Sequence, residues 1–155
     1  MAEISGRLTA VGRIGIVVSR YHERVTTRLL EGARRCIAEA GIAAADVDVV
    51  WVPGAFELGS AAAALAGTGR YAALVALGVV VRGETPHFDF VAGEASRALG
   101  TLAATHALPI GFGLLTVDTM EQALARAGGG AGDKGFEAAE AAIRTADALR
   151  QIRRG

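Results

Sequence analysis

The sequence predicts a single α/β domain, a small doubly wound sandwich of three layers with a four-stranded parallel sheet and helices on both faces. Three observations carry this expectation. The 155 residues suit one ordinary domain and leave little room for two. Short, β-branched apolar runs alternate with helical patterns along the whole chain. Those runs also lack the polar alternation of a half-exposed strand, as expected where both faces of a sheet are covered. Such alternation implies right-handed crossovers and parallel pairing.

The elements follow in order. Residues 13–19, RIGIVVS, read as the first strand. In residues 23–40, Val25, Leu29, Ala33, Cys36, Ile37 and Ala40 recur at helical spacing, and Gly41 offers a stop. Residues 46–52 are strand-like, 57–66 are Ala-rich and helical, and 71–81 contain the apolar run ALVALGVVV. A helix over 87–104, a fourth strand over 109–117 and a short helix over 120–127 come next. A last helix over 136–152 places Phe136, Ala139, Ile143, Ala146 and Leu149 inward. Residues 1–12 form an N-terminal arm, and its loosely alternating residues 3–9 offer an edge strand, in this chain or to a neighbouring subunit. The stretch GGGAGDKG, residues 128–135, reads as a flexible linker by composition or as a tight turn between two helices.

Composition bounds the partners. Sixteen basic residues balance sixteen acidic ones, so no whole-chain field favours nucleic acid or a membrane surface. Any anion site must be local. A hydrophobic fraction of 52% and a mean hydropathy of +0.37 are high for so small a chain, which suggests a surface that meets another subunit. Cys36, the only cysteine, falls within a helical pattern as a buried small hydrophobe rather than a reactive thiol. The N-terminal residues lack the basic and apolar regions of a secretory signal, and no apolar stretch approaches a membrane span, so a cytoplasmic location is expected.

In doubly wound sheets, ligands bind beyond the carboxyl ends of the strands. The segments there are SRYH, VPGAFE, VRGETPH and TVDTMEQ. In residues 78–91, GVVVRGETPHFDFV, a buried run ends at Arg82 and Gly83. Thr85 then offers a cap to a helix whose first turn holds Pro86 and His87. Glycine, a hydroxyl and free N–H groups suit a phosphate, while an ordinary helix cap needs no ligand. His87 can exchange protons near neutrality, although an idle surface histidine has the same sequence appearance. No metal is expected, because His87 and Asp89 point to different helix faces and no cluster of ligands completes a shell.

The other segments carry similar pairs of readings. The turn VPGAFE offers backbone amides to a planar heterocycle, and Glu57 is either an acceptor for hydroxyls or a carboxylate favoured by a helix dipole. Tyr21 and His22 end the first strand, where an aromatic face stacks on a ligand ring or simply covers the sheet edge. Arg126 and Lys134 flank the glycine-rich stretch as phosphate ligands or as dipole partners. No Walker loop, nucleophile elbow or dinucleotide fingerprint is present, and nothing demands a cofactor.

Taken in order, VPGAFEL, GVVVRGETPHFDFV and EQALARAGGGAGDKG resemble the lumazine synthase family, and the likeness spans residues 14–149. The resemblance implies a flavodoxin-like sandwich assembled as a homopentamer, possible icosahedral capsids of pentamers, and active sites at subunit boundaries. It implies condensation of a ribityl-substituted diaminopyrimidine with a four-carbon ketose phosphate, two small-molecule substrates, in riboflavin biosynthesis. Tyr21 then stacks on the pyrimidine, Ala55 and Phe56 contact it through their backbone, and Glu57 binds ribityl hydroxyls. Val79, Val80 and Val81 line the pocket. Gly83, Glu84, Thr85 and Arg126 hold the ketose phosphate, and His87 transfers protons. Phe112, Arg126 and Lys134 come from the neighbouring subunit.

Two departures from the family pattern stand out: it often has Phe-Asn where this chain has Tyr21 and His22, and a small residue at Glu84. Tyrosine keeps the ring face, and His22 adds a polar group of unassigned role. A carboxylate beside a phosphate is unfavourable, so Glu84 is expected to serve through its backbone N–H. Two other classes compete: a non-catalytic flavin- or lumazine-binding or storage-shell protein with the same pocket, and a signalling receiver of similar fold. The presence of His87, Arg126 and Lys134 favours the enzyme. A receiver calls for an acidic cluster after the first strand, and SRYH has none.

Overall fold

The computed structural model describes residues 1–155. Four strands, β1 (Ile14–Ser19), β2 (Val47–Val52), β3 (Ala73–Val81) and β4 (Ile110–Val117), form one parallel sheet in the order β2-β1-β3-β4. Five helices connect and cover them: α1 (Glu23–Glu39), α2 (Leu58–Gly67), α3 (His87–His106), α4 (Met120–Arg126) and α5 (Lys134–Arg154). The three-layer α/β sandwich expected from the sequence is the observed fold.

The absence of polar alternation has a direct cause. Every residue of β1 is buried, as are the first seven of β3. Ile14, Ile16 and Val18 of β1 join Val75, Leu77 and Val79 of β3 in a core beneath α1, α4 and α5. Val17, Leu74 and Ala76 face the other way, into a smaller core with Leu58 and Ala62 of α2 and Ala95 and Leu99 of α3. Each strand therefore needs apolar residues at both parities. Cys36 lies fully buried in the larger core, and burial pushes its thiol up to about 11.

The glycine-rich stretch is a closed turn, not a flexible linker. The N–H of Gly128 donates to the carbonyl of Gly132 at 2.9 Å, and the N–H groups of Gly129 and Ala131 both donate to the carbonyl of Ala125. Gly128, Gly130 and Gly132 adopt φ of 92°, 122° and 109°, a region that residues with a Cβ enter at a cost. Asp133 then caps α5, accepting the N–H of Phe136 at 3.1 Å and the Arg35 guanidinium. At the start of α5 the two helices touch backbone to backbone. A Cβ at Gly135 would strike the carbonyl of Leu29 in α1.

Residues 3–9 form no strand within this chain. Instead the arm is tied along α5. The backbone N–H of Arg7 donates to the carboxylate of Asp147 at 2.9 Å, Gln151 donates to the Ser5 carbonyl, and Arg144 and Arg150 donate to the carbonyls of Gly6 and Ala10. Asp147 is fully buried, and Arg150 and Gln151 complete its donors. The Arg7 N–H and the Arg150 guanidinium hold its carboxyl well below the usual aspartate range. No helix is long and apolar enough to cross a membrane.

Two outcomes are expected. Gly135→Ala forces α1 and α5 apart and should lower the unfolding free energy by about 1–3 kcal/mol in a urea titration; an unchanged midpoint contradicts the close contact. Asp147 has a depressed folded-state pKa, so its stabilisation is complete at neutral pH. Its loss begins as pH falls through the ordinary aspartate value of about 3.9, where the unfolded chain takes up the proton first, and continues until the native carboxyl is itself protonated at lower pH. Between pH 7 and pH 3 the wild type should therefore lose more stability than Asp147→Asn. Equal losses would show that the arm is not held by an ionised carboxylate.

Candidate functional site

Beyond Ser19 the chain keeps pairing with the end of β2. The N–H groups of Arg20 and Tyr21 donate to the carbonyls of Val52 and Pro53 at 2.8 and 2.9 Å, which draws Tyr21 against the VPGAFE turn. Arg20 also lies over the Trp51 ring, 4.6 Å from its centroid. On the other side of β1, β3 ends with Val80 and Val81 partly uncovered. These strand ends enclose a cavity of about 950 Å³.

Eleven of the residues singled out in the sequence line it. Tyr21 and His22 come from the first strand end, Ala55, Phe56 and Glu57 from the second, and Val79, Val80, Val81, Gly83, Thr85 and His87 from the third. Segments more than sixty residues apart in sequence thus share one cleft, as Tyr21 and His87 show. Tyr21 presents an exposed ring whose centroid lies 4.3 Å from that of His22. Phe56 is exposed while Ala55 beside it is buried.

His22 begins α1 from a left-handed backbone conformation, φ 62° and ψ 49°, unusual for a residue with a Cβ. Its carbonyl accepts the N–H groups of Val25 and Thr26, and its side chain makes no cap hydrogen bond. The imidazole is thus left to the cavity. Partial burial pushes its pKa below 6.5, so the ring is neutral at neutral pH, with one donor and one acceptor nitrogen.

Glu57 both closes a turn and faces the cleft. One carboxylate oxygen accepts the N–H of Gly54 at 2.9 Å and closes the turn, as in a capping box, while the residue also lines the cavity. Helix α3 starts at His87 with Pro86 at the cap position, so the expected first turn shifts by one residue. Thr85 still serves the helix end, its hydroxyl accepting the His87 N–H at 3.4 Å. His87 is exposed at the cavity mouth.

Four singled-out residues do not line this cavity: Glu84, Phe112, Arg126 and Lys134. Glu84 is exposed in the loop before α3. Phe112 sits on the edge strand β4, 47% exposed. Arg126 ends α4 with its guanidinium on the Gln122 carbonyl, and Lys134 lies 3.8 Å from Glu137 at the start of α5. The lining contains two carboxylates and two imidazoles but no lysine or arginine.

Sequence reasoning missed Gly54, Phe88, Phe90, Val91 and Glu94. The signal for most of them was available. Phe90, Val91 and Glu94 follow His87 by three, four and seven positions, one helix face.

Residues 12–150 match the 6,7-dimethyl-8-ribityllumazine synthase family. The chain belongs to that family. The matched region contains every loop that lines the cavity. The family is one of transferase-type enzymes, and membership points to riboflavin biosynthesis, to small-molecule substrates and to an oligomer.

One measurement tests the electrostatics. The His22 ring should titrate with a midpoint below 6.5 when followed by NMR on the ligand-free protein. An ordinary or raised midpoint contradicts its burial in the cleft.

Proposed function

We propose that this protein condenses 5-amino-6-(D-ribitylamino)uracil with 3,4-dihydroxy-2-butanone 4-phosphate to form 6,7-dimethyl-8-ribityllumazine, the penultimate step of riboflavin biosynthesis, in the cytoplasm. The observation that carries this reading is the convergence of three strand-end segments on one cleft in a chain of this family. The cleft suits a flat ring with a polar tail. Val79, Val80 and Val81 give an apolar wall, Tyr21 an exposed aromatic face, and the Ala55 and Phe56 backbone an edge of hydrogen-bonding groups. The second oxygen of Glu57 and the neutral His22 ring are acceptors for ribityl hydroxyls.

The chemistry requires no cofactor, because the substrates carry their own nucleophile and electrophile. The 5-amino group attacks the ketone, and water leaves to form an imine. Loss of a proton from the neighbouring carbon expels phosphate, giving an enol that becomes a ketone. The ribitylamino nitrogen then attacks that carbonyl, and a second water leaves as the ring closes. Orientation of two bound reactants supplies most of the acceleration. His87, at the first turn of α3, moves the protons.

Phosphate binding is divided. Gly83, Thr85 and the Glu84 N–H lie before a helix N-terminus, whose dipole favours an anion. A dianion in a cleft lined by Glu57 and Glu94 also calls for fixed positive charge, and this lining has none. In our reading Arg126, Lys134 and Phe112 of an adjacent copy close the site, which requires a homo-oligomer: a pentamer, alone or assembled into a capsid.

Mixing the purified protein with both substrates should yield lumazine fluorescence and free phosphate together. Ligand binding without turnover would make it a binding or storage protein instead. His87→Ala should slow turnover by about 10²- to 10⁴-fold yet leave residual activity. Arg126→Ala should chiefly weaken use of the ketose phosphate, and wild-type affinity for that substrate would remove Arg126 from the site. Sedimentation separates pentamer from capsid.

A further inference from the structure

Between the end of β3 and the start of α3 lie Arg82, Gly83, Glu84, Thr85 and Pro86, all exposed. The chain here has little packing of its own, yet it carries His87. The one internal side-chain bond, from the His87 N–H to the Thr85 hydroxyl, is long at 3.4 Å. Something else must set the direction in which His87 leaves the sheet.

Arg82 makes four contacts there. Its N–H donates to the Val117 carbonyl at 2.8 Å, extending the β3–β4 pairing by one residue. Its Nε donates to Asp118 at 3.0 Å, just past the end of β4. Its guanidinium also lies 3.7 Å from the Asp89 carboxylate and 4.3 Å from the centroid of the Phe88 ring. Phe88 and Asp89 are the two residues after His87. One planar group thus joins the β4 end to the first turn of α3.

We infer that Arg82 is a positioning residue that clamps the first turn of α3 to the end of β4 and so aims His87 into the cleft. Two observations exclude other roles. Arg82 does not line the cavity, unlike Gly83 and Thr85 beside it. Its charge is more than matched by Asp89 and Asp118, so it is not a free cation for phosphate. A lysine could not replace it fully, because an ammonium lacks the planar fork that meets two carboxylates and stacks on a ring.

The inference rests on the proposed function only where it speaks of turnover. The arginine is about half exposed and both carboxylates more than half, so the ion pairs add little to global stability, and Arg82→Ala should fold with a melting temperature close to that of the wild type. Its kcat should fall by about 10- to 100-fold, as expected of a misplaced catalytic group, with both KM values little changed. Arg82→Lys should recover part of the loss. In a His87→Ala background, Arg82→Ala should add less than about a two-fold further loss, because the clamp acts through an imidazole already absent. A full, additive loss in that background overturns the proposal, as does wild-type kcat in Arg82→Ala.

Hydrogen exchange on the ligand-free protein gives a readout independent of the reaction. Amides of Asp89 and Phe90, both bonded to the Pro86 carbonyl, should exchange faster in Arg82→Ala while those of α5 do not change. Unchanged exchange at α3 rejects the clamp. If the wild type forms no lumazine, the functional reading fails, and the exchange result alone decides the inference.

Discussion

The central pairing of β1 with β3, in register from Ile14 opposite Ala73 to Val18 opposite Leu77, is the constraint that the rest of the molecule obeys. Both strands are covered by helices on both faces, so their backbone groups must bond to neighbouring strands and their side chains, Ser19 at the end of β1 excepted, are apolar. No polar machinery can sit within that block. The connections also run opposite ways from it: β1 leads outward to β2 on one side, and the chain then crosses back to place β3 on the other. Loops leaving the carboxyl ends of β1 and β3 therefore diverge and leave a crevice between them. Tyr21, His22 and the segment from Val79 to His87 stand on its two sides.

That constraint also explains what could be read in the sequence. A strand buried on both faces has no choice but a run such as ALVALGVVV, and a helix lying on it must repeat apolar residues at helical spacing. These elements were accordingly legible to within a few residues. The order of the strands was not, since each apolar run could occupy any place in the sheet. The glycine-rich stretch was ambiguous for a different reason. Composition reports freedom of the backbone, whereas its closure depends on the Asp133 cap and on the contact of Gly135 with a carbonyl of α1, more than a hundred residues away. The cleft-facing side of α3 was missed because attention stopped at the strand end, although Phe90, Val91 and Glu94 follow His87 at helical spacing.

Several residues of the cleft serve the fold and the cavity together. Glu57 closes the turn at Gly54 with one oxygen, Thr85 supports the start of α3, and His22 begins α1 from a left-handed conformation. For such residues a structural role does not exclude a functional one. A carboxylate held by a backbone N–H has lost rotamer freedom before any ligand arrives. The same economy limits what sequence can tell, because a capping residue and a preorganised ligand leave one signature.

On the proposed reading, the charges around the cleft bear on why one chain would not complete it. The lining offers two carboxylates, two imidazoles and four aromatic rings, with Tyr21, Phe56 and Phe90 largely exposed. On the proposed reading, this apolar, weakly acidic cleft would accommodate a flat ring and a chain of hydroxyls. By itself it would hold a phosphate poorly, because both carboxylates repel the anion. On the proposed reading, the exposed rings and the missing cations describe the same gap. Water-exposed aromatic surface at the mouth favours a covering partner, and a covering copy that brings Arg126 and Lys134 would supply positive charge where desolvation makes it count most. Phosphate binding and subunit association would then strengthen one another, since each would relieve a defect that the separate chain retains.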